Sequence, residues 1–179
     1  MKATGVVRRM DNLGRIVIPK EIRRTLRIRE GDPLEIFTGP EGEVIFKKYS
    51  PIGDLSNIAK NYTDSLAKTT DCTVCVTDKD VIVAASGKER THLELKEISK
   101  DLLRTIERRE NVISKKGDKD FVAIISNAPE FLSEIIITII CEGDAVGSVV
   151  ILSHVENMDK VNLKLAKSVA IMLGKQMEN

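Results

Sequence analysis

Ten side chains of the kind that builds β-strands (Val6, Val7, Ile16, Val17, Ile18, Ile36, Phe37, Val44, Ile45 and Phe46) fall within the first 48 residues of this 179-residue chain. A unit of about 50 residues hides only a small share of its surface when it folds alone. That many apolar strand faces exceed what so small a unit can cover with its own mass. The expected cover is a second copy, which makes the segment an obligate homodimer.

The charges in this segment are sorted. Met1 to Arg29 holds nine bases (Lys2, Arg8, Arg9, Arg15, Lys20, Arg23, Arg24, Arg27 and Arg29) against two acids, Asp11 and Glu21, a net of +7. Glu30 to Phe46 is the reverse, with five acids and no base, so a chain of formal net charge +1 conceals a basic head. A polyanion is the natural partner for such a segment. Aromatics make up 3% of the chain and there is no Trp, so stacking on exposed rings is a poor way for it to hold nucleic acid.

Thr4 to Met10 has strand composition, and Asp11-Asn12-Leu13-Gly14 reads as a turn, because Asn and Gly tolerate positive φ. Arg15 to Ile18 is the returning strand. Pro19 ends it and suits the first turn of a short helix over 20–26, with Ile22 and Leu26 expected to face inward and Arg23 and Arg24 outward. A second hairpin follows, 34–38 and 43–48, around Gly39-Pro40-Glu41-Gly42. The arginines of the first hairpin and of the helix can then share one face.

The run TGVVRRMDNLGRIVIPKEIRRTLRIREGDPLEIF resembles the DNA-binding domain of the AbrB-type transition-state regulators. The features that carry the likeness are the turn and strand at Leu13-Gly14-Arg15, the Ile18-Pro19 break, the Glu21-Ile22-Arg23-Arg24 helix, and the Gly31-Asp32 turn before Leu34-Glu35-Ile36. The resemblance implies a swapped-hairpin β-barrel of two interlaced chains. It matches Arg8, Arg15, Arg23 and Arg24 to DNA-contacting arginines, with Arg9 and Lys20 as neighbouring phosphate contacts. An arginine fork holds phosphate or guanine bidentately, and each neutralised phosphate releases counterions, so such binding weakens steeply with salt. Double-stranded promoter DNA is the expected partner.

Residues 49–179 carry 17 bases and 20 acids, so the remainder is no second nucleic-acid arm. Domains are expected at 1–50 and 56–179, with a short linker at 51–55 where proline and glycine punctuate the chain. Beyond it the patterning predicts a helix over 54–69 with Asp54 as its cap, strands over 73–77 and 81–85, and a charged helix over 93–109. Strands over 121–126, 134–141 and 145–152 and a closing helix over 157–177 follow. That order resembles a GAF domain, a sensor with a mostly antiparallel sheet, helices behind it and a ligand pocket in front. The fold class is therefore α+β, a barrel head followed by a GAF-like domain.

A pocket of that kind either takes a small-molecule effector or is filled by the domain's own side chains. The apolar stripes on 54–69 and 157–177 are expected to pair between chains and join two dimers into a homotetramer. No apolar run reaches the roughly 18 residues of a membrane span and the N-terminus turns polar at once, so the chain is expected in the cytoplasm, on the nucleoid, and not in a membrane.

Three cysteines, Cys72, Cys75 and Cys141, cannot close a disulfide framework among themselves. Cys72-x-x-Cys75 lies on a strand, where i and i+3 point to opposite faces, which suits neither zinc nor a redox pair. His92 and His154 are single and expected at element ends. No catalytic residues, metal or cofactor are expected. Two rivals stay on the table: an antitoxin, since the same small barrel also heads proteins that bind a toxin with a short tail, and a cysteine-dependent GAF-like methionine sulfoxide reductase.

Overall fold

A computed structural model describes residues 5–178. The chain divides into two compact units, Met1–Tyr49 and Ser50–Asn179.

In the first unit α1 (Lys20–Thr25) precedes β1 (Leu34–Thr38) and β2 (Val44–Lys48). The two strands pair antiparallel, Ile36 opposite Phe46 and Phe37 opposite Ile45, around a turn closed by Gly39 N–H to Glu43 O at 2.8 Å. Lys48 Nζ reaches Asp32 Oδ2 at 2.9 Å and ties the hairpin to the loop before it.

The strands expected at 4–10 and 15–18 do not form within the chain; Thr4 itself lies outside the described residues. Their turn is closed, with Asp11 N–H to Arg15 O and Gly14 N–H to Asp11 O both at 3.1 Å, but β1 and β2 are already paired with each other and no ladder reaches these arms. Among the described residues of this unit only Pro19 is buried. Val7 is 87% exposed, Val17 73% and Ile36 62%, so the unit has strands without a core.

The second unit opens where a linker was expected. Ser50 Oγ accepts from Gly53 N–H at 3.1 Å, Pro51 fills the first turn of α2 (Pro51–Asp54), and Ile52 is fully buried. Asp54 is thus the last residue of a helical turn and not the cap of the next helix, α3 (Ser56–Thr70), which starts at Leu55 without a side-chain cap. β3 (Thr73–Thr77) and β4 (Ile82–Ser86) follow, their connection held by Asp78 Oδ1, which accepts from Asp80 N–H and Val81 N–H at 2.7 Å each.

The helix expected over 93–109 is two helices, α4 (Arg90–Leu93) and α5 (Lys100–Glu107). Between them Leu95 takes a φ of 62°, and its segment bonds to β4 instead: Leu95 N–H to Ile82 O and Ile82 N–H to Lys96 O, both 2.9 Å. Ser99 then accepts from Leu102 N–H and restarts the helix. β5 (Val112–Lys115), β6 (Ser133–Cys141), β7 (Asp144–Ser153) and α6 (Lys160–Met177) complete the unit. Asp159 caps α6 through Val161 N–H and Asn162 N–H, three residues later than the sequence pattern placed its start.

The sheet is antiparallel throughout, in the order β4-β3-β7-β6-β5. One face packs Val74, Ile137, Val149 and Ile151 against Ala59 and Leu66 of α3 and Ala166, Ala170 and Leu173 of α6. The other packs Cys75, Ile136, Val150 and Leu152 against Leu93, Leu102 and Ile106 and against Ile124, Ile125 and Phe131. The 121–126 stretch, expected as a strand, supplies that second layer from an irregular loop: Ile124 and Ile125 are buried, and the Ile124 carbonyl accepts from Ser99 N–H at 2.8 Å.

Candidate nucleic-acid interface and effector cavity

In the head, Asp11 organises the turn. Its Oδ1 accepts from Leu13 N–H at 3.0 Å and Arg15 N–H at 2.8 Å, and its Oδ2 takes Arg15 Nε at 2.7 Å. The bonds from Arg15, backbone and then side chain, hold the Asp11 carboxyl below its ordinary value. Gly14, with a φ of 73°, supplies the left-handed corner that returns the chain to Arg15.

Pro19 then seeds α1, its carbonyl accepting from Arg23 N–H at 3.0 Å. Ile22 is half-buried, whereas Leu26, expected to face inward with it, is 56% exposed because the helix ends at Thr25 and Leu26 lies in its cap.

All six candidate DNA-binding residues are exposed. Lys20 opens α1 and Arg23 and Arg24 lie in its last turn, so the positions three and four along share its surface with Lys20. Arg15 is fixed by Asp11, while Arg8 and Arg9 lie on the arm that carries no ladder. Sequence reasoning treated Asp11 only as a turn former and missed that its carboxylate orients a candidate contact. The signal was present in the four-residue spacing to Arg15.

In the second unit, Glu134 stands on β6 with a fully buried side chain. Its Oε1 accepts from Ser114 Oγ of β5 at 2.8 Å and from Val122 N–H at 2.6 Å, and its Oε2 is buried without a hydrogen-bond partner. Burial pushes its carboxyl up to about 7, against the opposing pull of the Val122 and Ser114 bonds. Glu134 lines a cavity of about 400 Å³ with Val122, Ile124, Ala128, Phe131 and Leu152, and Lys116 and Glu130 pair with each other among its lining. Sequence reasoning missed this acid, although a single carboxylate inside SEIIITIIC was its signature.

The cysteines do not meet. Cys72 packs on the α3 and α6 face of the sheet and Cys75 on the other, with the Cys75 thiol pushed up to about 12 by burial and then by Glu94. Burial likewise raises Cys141, with the charges of Glu142, Glu178 and Asp144 adding to it. Thiols so shifted are poor nucleophiles. His92 Nδ1 lies 2.9 Å from Glu89 Oε2, and His154 stacks on Phe131 with ring centroids 5.0 Å apart.

An exposed arginine set on a small strand-and-helix head, followed by a five-stranded sheet with helices on both sides, defines a DNA-binding regulator with a GAF-like second domain. The match to known proteins agrees. Residues 54–178 match the family described as stage V sporulation protein T C-terminal, transcription factor, and residues 7–54 match the MazE family of antidote-toxin recognition, bacterial antitoxins.

Stage V sporulation protein T of Bacillus subtilis is 46% identical over 179 residues, 99% of each chain. The transition state regulatory protein AbrB of the same organism is 59% identical over 51 residues, 28% of this chain and 52% of that one. Among solved structures, the GAF domain of an Acinetobacter phosphoenolpyruvate-protein phosphotransferase superposes with a TM-score of 0.58 at 10% identity, over 73% of this chain and 84% of that one, a likeness of fold.

The chain belongs to the stage V sporulation protein T family, sporulation transcription factors with an AbrB-like DNA-binding domain. The antitoxin rival fits only the head: residues 56–178 have a core of their own, where such an antitoxin has a short tail.

Proposed function

We propose that two copies of the chain interlace through their heads and grip promoter DNA with Arg8, Arg9, Arg15, Lys20, Arg23 and Arg24, activating or repressing genes of the sporulation programme. The observation that carries this reading is the pairing, in one unit, of exposed guanidinium groups with strand residues that have no core of their own. Burying a Val, Ile or Phe side chain contributes about 1.5–3 kcal/mol, so exposed strands on two copies are a large driving force for association. In the interlaced dimer the arms at 6–10 and 15–18 take their ladder from the partner, and the basic sets of both copies are brought to one DNA duplex.

The second unit serves assembly and sensing. Val161, Ile171 and Met172 are exposed apolar residues on α6, and pairing of such helices between dimers gives a homotetramer. None of the described helices is long and apolar enough to cross a membrane. A protein that works on promoters is expected in the cytoplasm, on the nucleoid.

Arg23→Ala and Arg24→Ala test the DNA reading. Each is expected to weaken promoter binding in a gel shift by tenfold or more, the loss of about 1.4 kcal/mol or greater that one bidentate contact supplies, with circular dichroism and molecular mass unchanged. Unchanged affinity in both overturns the assignment.

A further inference from the structure

We infer that the cavity behind Glu134 is a binding site for a small organic cation, an ammonium or amidinium group on an apolar body, with Glu134 Oε2 as its acceptor. This rests on reading the second unit as an effector domain and names the chemistry of what it senses.

The argument starts from the carboxylate. An ionised carboxylate only accepts, and Glu134 spends one oxygen on Ser114 and Val122 while the other, equally buried, has no partner among the described residues. A buried acceptor left without a donor is costly, and more so when it carries charge. Natural interiors retain such a group where something satisfies it.

The two bonds to Oε1 come from different segments, β5 and the 121–131 loop. They fix the carboxylate plane before any ligand arrives, which is what a preformed anchor requires. Much of the remaining wall is apolar, and Ile124, Phe131 and Leu152 would enclose a hydrocarbon or aromatic body, while Ser126 and Asn127 are its uncharged polar lining. A neutral hydroxyl or amide returns only the hydrogen bond to Oε2. A cation returns the bond and neutralises the charge that burial penalises. Lys116 and Glu130, the other ionisable groups on the cavity, already pair with each other and cancel, leaving Glu134 as the charge that selects.

The probe is 2-phenylethylammonium, with 2-phenylethanol as its neutral counterpart, read by saturation-transfer NMR and thermal shift on the full chain. Wild-type protein is expected to bind the ammonium at least tenfold more tightly than the alcohol, and more tightly at about pH 8 than at about pH 6, since only the deprotonated carboxyl takes a cation.

Glu134→Gln keeps an oxygen for Ser114 and Val122 and replaces Oε2 by a donor. It is expected to lose the ammonium by tenfold or more and to keep the alcohol. Ala128→Leu fills the cavity without touching the carboxylate and is expected to lose both. Equal affinity of wild type and Glu134→Gln for the ammonium, or no binding of it by wild type, overturns the inference. Either result would leave the promoter gel shift of Arg23→Ala standing as a separate test, so failure here and failure of the DNA reading are told apart.

Discussion

Glu134 is the residue whose placement costs the second unit most. Its carboxyl is shifted from an ordinary 4.5 to about 7, chiefly by burial. Between those values the folded protein keeps a proton that the unfolded chain gives up. Its contribution to stability is therefore full below 4.5, is lost as pH rises to about 7, and stays lost above. The shift corresponds to about 3 kcal/mol. Glu134→Gln has no such proton and is expected to flatten the slope, seen as urea midpoints at about pH 5 and about pH 8 that converge relative to wild type. A slope retained in full would assign the effect to other groups.

Much at this scale was readable in advance. Alternation along CTVCVT placed Cys72 and Cys75 on opposite faces, and the structure puts them in separate cores. The left-handed φ of Leu95 was not readable, because the tertiary bond from its N–H to Ile82 O holds it there.

Elements were legible where local signals and packing agree. β3 runs over 73–77 as its β-branched run required, and β6 and β7 differ from expectation by one residue at their ends. They misled where a periodic pattern was cut by a distant partner. Leu93 to Arg109 has a helical stripe, yet bonds from 95–98 to the β4 strand and the preceding turn outcompete one continuous helix. Phe121 to Ser126 has a strand's composition but makes no ladder, supplying core side chains and single backbone bonds to Glu134 and Ser99. The stretches 4–10 and 15–18 read as strands from their composition, and their partner, in the reading proposed above, lies on another molecule.

Two glycines show how tightly the elements meet. A Cβ at Gly147 of β7 would collide with the Thr77 carbonyl of β3 and the Ile52 side chain of α2, and one at Gly174 of α6 with the Ile140 carbonyl of β6. Gly147→Ala is expected to lose about 1–3 kcal/mol by overpacking. Gly174→Ala should lose less, since alanine gains about 1 kcal/mol in a helix, but the clash is with backbone and still wins. Urea midpoints at unchanged slope check both, and a stabilised Gly174→Ala would show that α6 can shift away from β6 at little cost.

For the molecule as a whole, the decisive property is that one unit has a core and the other has strands without one. Val17 is 73% exposed in the single chain, where a charge is ordinarily tolerated within about 0.5 kcal/mol. Val17→Asp nevertheless is expected to abolish head-mediated dimers and promoter binding, because in the interlaced form proposed above that side chain would be interior. Light scattering and the gel shift read the outcome, and a variant with wild-type mass and affinity would refute interlacing. A wild-type dimer at micromolar concentration would likewise refute the tetramer.

The order of the sheet has a bearing on synthesis. β7 lies between β3 and β6, and Thr77 meets Ser148 across a separation of 71 residues. On a ribosome adding about 5–20 residues per second, β3 waits roughly 4–14 s for its central neighbour to be made. During that interval the nascent chain displays an unpaired apolar strand edge. The newborn polypeptide is most vulnerable to aggregation then, and a chaperone would have most to protect.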